Sequence, residues 1–358
     1  MKILMIINWK IHYVSETPKN LQPSDYWIKG QPFWFLKYFD KPVDVDVVDI
    51  SAPKTIEKLE KKLHFHFLQV LRVLRRLNQY DVILAHGTDS AVLLGALKRI
   101  FHLKTPPIVV VDISSFHQAD TSGLVHKLCV FASKSFDWLI YLVSTQITYF
   151  REYFPWIADK STFVRQGVDG EYWGQKKYSE IPERDKYLIC VGYRRRDWKT
   201  LIRAYEESGI SQKLLLVGNS KIQTNNPNIK ALPFVPIDRL NQLIVNASFS
   251  VIPLDDFNYA FGQTTMMQQM ALGVPLIAAD VPALRDYISQ TDGIMTYQAY
   301  DVDDLSHCLV ELASMGSAEK EKMSLANIES IKDALSEKRM ARRYEEIIER
   351  VISASSVK

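Results

Sequence analysis

Residues Phe261-Gly262-Gln263-Thr264-Thr265-Met266-Met267-Gln268-Gln269-Met270-Ala271-Leu272-Gly273-Val274-Pro275 decide how this chain is read. The stretch reads as a turn, a helix, a glycine C-cap and the start of a strand. Gly262 lets the backbone come close to a ligand. The free N–H groups at the helix start, with the hydroxyls of Thr264 and Thr265, make an anion site suited to a diphosphate. Gln268, one turn further in, is placed to bond a ribose hydroxyl pair. Gly273-Val274-Pro275 then ends the helix in the expected way. The competing account is an ordinary capped helix with Thr264 as its N-cap.

Outward from this stretch, short apolar runs alternate with helical patterns in two successive arrays. Lys2 to Ile7 is a continuous apolar run, as in a strand buried on both faces of a parallel sheet. Val43 to Ile50, Asp81 to Ala85, Pro107 to Val111 and Trp138 to Val143 follow as strands. Helices are predicted over Lys54 to Asn78, Ser90 to Ile100 and Gly123 to Phe136. The polar stretch Tyr172 to Lys186, broken by Pro182, reads as a linker. The alternation restarts with strands at Tyr187–Val191, Lys213–Val217, Phe234–Val235, Phe249–Leu254 and Pro275–Ala279. Helices fall at Lys199–Glu207, Ile237–Asn246, Thr264–Leu272 and Pro282–Ser289, and a charged helical stretch from Ala318 to Ile352 closes the chain. Strand–helix alternation of this kind predicts parallel sheets with crossover helices. The expected fold class is therefore α/β, with two Rossmann-like doubly wound domains over residues 1–170 and 171–335.

The totals agree with a two-domain globular protein. A chain of 358 residues exceeds the size at which single cores stop growing. With 44 Lys and Arg against 41 Asp and Glu, the net charge of +3 does not suggest nucleic-acid binding. Cys129, Cys190 and Cys308 are too scattered for a disulfide framework and suit a reducing compartment. Met1 to Trp9 reads as a first strand rather than a leader, and no run is long enough to span a bilayer. A cytoplasmic protein is expected, with Lys54 to Asn78 as a candidate peripheral contact with the inner membrane face. There Lys54, Lys58, Lys61, Lys62, Arg72, Arg75 and Arg76 flank an apolar stripe. A domain helix with a solvated basic face is the competing account.

In open parallel sheets, ligands bind beyond the carboxyl ends of the strands. The residues there are Asn8-Trp9, His86-Gly87, Asp112 and Ser144-Thr145 in the first array. In the second they are Gly192 to Arg196, Gly218-Asn219, Asp255-Asp256 and Ala279-Asp280. Arg194-Arg195-Arg196 at a strand-to-helix junction offers guanidinium groups that match phosphate geometry, with Arg196 and Lys199 nearest the helix start. A solvated basic loop is the alternative. No metal is expected: Asp44-x-Asp46 lies within a strand, Asp301-x-Asp303 suits capping, and His64-x-His66 is wrongly spaced. The absence of Gly-x-Gly-x-x-Gly after the first strand argues against a dinucleotide dehydrogenase, and there is no Walker-type loop.

The second half resembles the retaining GT-B glycosyltransferases of the family-4 type, the glycosyl transferases group 1. Phe163-Val164-Arg165-Gln166-Gly167-Val168-Asp169 resembles the family's interdomain "NGVD" segment. Val191-Gly192 through Thr200 to Ala204 resembles the segment whose basic residues hold the donor diphosphate. Phe234-Val235-Pro236 with Asp238-Arg239-Leu240 resembles the segment that meets the nucleotide base, and Phe261 to Pro275 resembles "FG…lEAMA.G.PV". The resemblance implies a nucleotide-sugar donor, UDP- or GDP-linked, as co-substrate, with no other cofactor. It implies transfer to a glycan, lipid-linked or small-molecule acceptor, with retention and without a metal.

The donor-site residues it implies are Gly192, Arg194, Arg196, Lys199, Gly218, Asn219, Val235, Gly262, Gln263, Thr264, Thr265 and Gln268. His86, His117 and Asp112 are the catalytic candidates, and residues 336–358 are expected to form a helix crossing back to the first domain. The family's two glutamates map to Gln268 and about Ala260, so this chain departs from the pattern there. The departure keeps two other readings open: a non-catalytic relative, and a nucleotide-sugar-modifying one such as an epimerase.

Overall fold

The computed structural model describes residues 1–356 except 19–20, 64, 115, 117–120, 175–186 and 223. The chain divides into two compact units. Met1–Val164 and the residues from Met340 onward form the first, and Arg165–Arg339 form the second.

The first unit is built on a six-stranded parallel sheet. Its strands are β1 (Lys2–Ile7), β4 (Asp44–Val48), β5 (Val82–His86), β6 (Ile108–Asp112), β7 (Trp138–Tyr141) and β8 (Ser161–Phe163), in spatial order β4-β1-β5-β6-β7-β8. The strands are nearly continuous runs of Ile, Leu and Val because helices cover both faces, and Ile3, Leu4, Met5 and Ile7 have no exposed surface. Burying each such side chain is worth about 1.5–3 kcal/mol. Helices Phe67–Val73, Thr88–Ile100 and Gly123–Ser133 pack through Val70, Val73, Val92, Leu94 and Ala132 into one core on the sheet.

Between β1 and β4 the chain makes a small parallel pair, β2 (His12–Val14) and β3 (Tyr26–Ile28), and a 3₁₀ turn at Trp34–Tyr38. No strand or helix is expected from that segment's sequence. The long C-terminal helix Glu337–Ser356 joins this unit by its later part. Tyr344 meets Phe35 edge-on, Glu345 accepts from the amides of Asp40 and Lys41, and the Arg350 guanidinium lies 4.0 Å from the Trp138 ring centre.

The second unit repeats the architecture. Its strands are β9 (Tyr187–Val191), β10 (Lys213–Val217), β11 (Ile229–Leu232), β12 (Ser250–Ile252), β13 (Leu276–Asp280) and β14 (Ile294–Gln298). They run in spatial order β11-β10-β9-β12-β13-β14, all parallel. The buried Asn327 ties its far side together by donating to the carbonyls of Val274 and Gly293. β14 and the helix Val302–Ser314 are absent from the sequence reading, because the edge strand is only intermittently buried and shows no clean apolar run.

Two further expectations are corrected. The single helix over Lys54 to Asn78 is three pieces: Lys54–Leu63, Phe67–Val73 and a 3₁₀ segment Leu74–Gln79. The buried Glu60 explains the break, since its carboxylate accepts the Leu68 amide and so starts a new helix where the first one ends. Phe234–Val235 is not a strand; the pairing residues are Ile229–Leu232, and Pro233 and Pro236 then deprive the chain of ladder donors. The charged helical stretch from Ala318 consists of two helices, Ser317–Lys332 and Glu337–Ser356. Most of the expected linker, and His64, lie outside the described residues. Among the described residues, no helix is long and apolar enough to cross a membrane.

Candidate nucleotide and acceptor sites

In the second sheet the chain steps one way from β9 through β10 to β11, then returns and steps the other way from β12 through β14. The switch point is therefore between β9 and β12, and their carboxyl ends are where a ligand is expected. Two loops meet there. Arg196 forms an isolated antiparallel bridge with Leu254, the Asp197 amide donates to Pro253 O at 2.8 Å, and the Asp255 amide donates to Arg195 O at 3.3 Å.

Arg196 is the best-defined group of this edge. It is only 7% exposed, and its side chain turns back under the strand end. Nε donates to Val191 O at 3.1 Å and Nη1 to Arg194 O at 3.2 Å. Gly192 makes room for it: at φ +133° a Cβ would fall 2.6 Å from the guanidinium. Burial pulls the guanidinium below its ordinary pKa, opposed by the nearby Cys190 and Asp255. Among the described residues no carboxylate lies within ion-pair distance of Arg196. The site thus holds a desolvated cation whose present partners are neutral carbonyls.

The other basic side chains are disposed differently. Arg194 and Lys199 are exposed, Lys199 in the first turn of helix Trp198–Ser208, which Asp197 caps through the Thr200 amide. Arg194 sits 5.4 Å from the Tyr193 ring centre, and Tyr193 meets Phe234 edge-on with centroids 4.9 Å apart. Tyr193 and Phe234 are 48% and 68% exposed, so the ends of β9 and β11 present two aromatic rings to solvent. Tyr193 falls within the strand-end stretch Gly192 to Arg196 but is not among the donor-site residues the resemblance implies; its signal is an aromatic residue two positions past a strand end. Val235 is half-buried beside Phe234.

Gly218 follows β10 at φ +111°, and a Cβ there would lie 2.9 Å from Gly192 O, a backbone atom that cannot move aside. Gly218→Ala is expected to cost on the order of 2–3 kcal/mol by combining strain with this clash. Gly209→Ala, at φ +62° with open space around it, should cost about 1 kcal/mol. Urea denaturation of the two variants checks the difference; equal losses would show that the close approach to Gly192 is not what Gly218 serves. Asn219 folds its own turn, Oδ1 accepting from the Lys221 amide.

The helix at Gln263–Ala271 starts one residue earlier than expected, and its N-cap is Gly262 rather than Thr264. Gly262, at φ +89°, brings no side chain to cap the first turn, and Thr264 and Thr265 are released from that duty. Thr264 is exposed, its hydroxyl accepting from Gln166 Nε2 at 3.2 Å; Thr265 is half-buried. Two glutamines turn inward instead. Gln263 is buried and donates to Ala283 O at 2.7 Å, which takes it away from any ligand. Gln268 is nearly buried and donates to Asn241 Oδ1 at 3.0 Å.

In the first sheet the switch point is between β1 and β5, with Asn8 and Trp9 past one strand and His86 ending the other. His86 is 5% exposed, with its ring edge-on to Trp9 at 5.3 Å and to Trp34 at 5.0 Å. Its Nδ1 has no hydrogen-bond partner among the described residues, and burial holds its pKa down at about 4. Trp34 is held at φ +49°, a strained angle for a bulky residue.

Asp112 does not reach the surface. It is 0% exposed, accepting from Thr88 Oγ1 at 2.9 Å, the Phe116 amide at 3.4 Å and Gln146 Nε2 at 3.5 Å. Its place is to hold the loops after β5, β6 and β7 together rather than to meet an acceptor hydroxyl. His117 lies outside the described residues. Among the described residues, no three His, Cys, Asp or Glu side chains come together as a metal-binding group.

Residues 185–315 match the family model for glycosyl transferases group 1. No curated protein sequence matches the chain at a significant level. Several solved structures share its fold along the whole length. HepE of Anabaena, in a complex with UDP, is 14% identical with a TM-score of 0.67, covering 98% of this chain and 100% of that one. Sucrose-phosphate synthase from Thermosynechococcus elongatus has the same identity and score, covering 99% and 100%. A UDP-forming α,α-trehalose-phosphate synthase from Burkholderia xenovorans is 11% identical at a TM-score of 0.67, covering 98% and 99%. The fold is the GT-B class, with its two Rossmann-like units.

Proposed function

With residues 185–315 forming a glycosyl transferases group 1 domain, we propose that this glycosyltransferase moves a sugar from a UDP-linked donor to an acceptor hydroxyl, with retention and without a metal. The observation that carries the reading is Arg196, a buried cation at the β9–β12 switch point that donates to carbonyls and, among the described residues, has no carboxylate within ion-pair distance, beside a helix whose first turn no side chain caps. A diphosphate satisfies both, because its charge compensates the guanidinium and its oxygens accept from the amides. The exposed Tyr193 and Phe234 rings give a planar base an apolar surface. UDP over GDP is favoured by the HepE structures, which hold UDP and UDP-glucose.

In this reading, breaking the sugar–phosphate bond builds charge on the departing diphosphate, and Arg196, Lys199 and the helix amides stabilise it there. The departing phosphate oxygen takes the acceptor's proton, so no protein base is required. His86 is neutral at physiological pH, so it serves as a packing and hydrogen-bonding group rather than as a cation.

One observation favours a second reading. The amide of Gln268 is already engaged by Asn241 at the position where a glutamate is usual in the resembling family, which is compatible with a relative that binds donor without turning it over. UDP at a hundred times its Kd is expected to stabilise the protein by about 2.7 kcal/mol, seen as a thermal shift of several degrees. Absence of any shift with UDP, GDP or ADP would overturn the donor reading. A shift with no hydrolysis or transfer from UDP-glucose would favour the second.

A further inference from the structure

We infer that the outer side of the first unit's helical layer docks on an anionic lipid bilayer. The inference rests on charge and exposure in that unit and is independent of the donor reading. The crossovers β4 to β5, β5 to β6 and β6 to β7 all step in the same direction across the sheet. Right-handed connections therefore lay the intervening helices, Lys54–Leu63 through Gln79, Thr88–Ile100 and Gly123–Ser133, on one face.

Two properties of that layer set it apart. Residues 54–79, 88–104 and 123–134 hold twelve of the chain's 44 Lys and Arg but three of its 41 Asp and Glu, so the rest of the protein is net acidic. None of these three carboxylates is exposed: Glu60 is buried, Asp89 is half-buried, and Glu57 is bound by Lys10 and Lys61; the next helix of the layer, Gln146–Tyr153, adds one exposed pair of opposite charges, Arg151 and Glu152. Lys58, Lys62, Arg72, Arg75, Lys104 and Lys127 are all exposed. Asp46 and Asp137, from neighbouring elements, pair with Arg76 and Lys98 at the margins.

The second property is apolar. Leu59, Leu71, Ile100, Phe101, Leu124, Val125 and Phe131 make up seven of the thirteen exposed large hydrophobic side chains among the described residues. Leu124 is 85% exposed, and the Arg99 guanidinium lies over the Phe131 ring at 4.9 Å. Single exposed apolar residues need no explanation. Aliphatic side chains interspersed among exposed cations on one layer match a headgroup region, which takes cations at the phosphates and hydrocarbon just below. A nucleic acid would use the cations but leave Leu59, Leu71, Leu124 and Val125 without a function. The layer's helices run antiparallel to the strands, so their N-terminal ends lie at the same sheet edge as His86. A membrane-bound acceptor would thus meet the protein beside its first-unit switch point.

The test is co-sedimentation of the full-length protein with vesicles of phosphatidylcholine alone, and of phosphatidylcholine with phosphatidylglycerol. Binding only to the anionic vesicles, weakened by salt, is expected. Replacing Arg72, Arg75 and Lys127 with Gln should lower partitioning about a hundredfold, roughly fivefold per cation. Phe101→Ser with Leu124→Ser should lower it about tenfold or more. All five side chains are exposed, and an unchanged thermal unfolding midpoint verifies that the variants fold. Equal binding to neutral vesicles, no binding to either, or variants that sediment like the parent would overturn the proposal.

Discussion

Arg196→Met should abolish nucleotide binding while leaving the empty protein at least as stable as the parent. The two effects have opposite physical origins. In the free protein the guanidinium is desolvated, and among the described residues its hydrogen bonds go to the carbonyls of Val191 and Arg194 with no carboxylate paired to it, so its charge is poorly compensated. A methionine of similar reach fills the space against Gly192 without a charge to desolvate, and such replacements are commonly neutral or stabilising. With UDP bound, the same guanidinium makes charge-assisted bonds to a diphosphate, together worth about 3–4 kcal/mol, or two to three orders of magnitude in Kd. Calorimetric titration with UDP measures the second effect and urea denaturation the first. Arg196→Lys should recover little, since an ammonium cannot make the forked contact. If Arg196→Met binds UDP within a few-fold of the parent, the diphosphate is held elsewhere and Arg196 is a structural bracket for the β9–β12 loops. If instead the free variant unfolds far earlier, loss of the two carbonyl bonds dominates and the poorly compensated charge is not the main feature of the site.

How much of this was legible depended on whether the signal was local. Uninterrupted apolar strands such as Lys2–Ile7 and Tyr187–Val191 announce themselves, because burial on both sides of a parallel sheet demands apolar residues at every position. The glycine at 262 and the arginine at 196 were legible for a similar reason: each sits where a strand or loop hands over to a helix. What was not legible was direction. Gln263, Gln268 and, in the first unit, Asp112 are polar, yet each turns inward to a partner distant in sequence, while Arg196 turns back onto the nearby carbonyls of Val191 and Arg194. Of the four, Arg196 is the one cation, and its charge is the one a diphosphate would answer. The Trp34 turn was invisible because it depends on a left-handed bulky residue and on contacts made by the C-terminal helix, through Phe35 and Tyr344.

Acidification should weaken the first unit between about pH 6.5 and pH 4, and His86 should account for most of a single-site dependence. Its folded pKa of about 4 lies below the ordinary value of 6.5 because burial between Trp9 and Trp34 disfavours the imidazolium. Between those two values the unfolded chain holds the proton and the folded protein does not. Stability therefore rises with pH through this window, is fully present above it, and is lost as the pH falls toward 4. A difference of that size corresponds to about 3 kcal/mol. Urea denaturation followed by tryptophan fluorescence suits the test, since Trp9, Trp27, Trp34, Trp138 and Trp156 all belong to the first unit. His86→Phe should flatten the pH dependence by that amount relative to the parent, while keeping the ring packing against the two indoles. A parent and variant that lose stability in parallel would mean that water reaches Nδ1 and that the ring titrates near its ordinary value. In that case His86 would be charged in mildly acidic conditions, and its assignment as a neutral group in the transfer reaction would fall with the prediction.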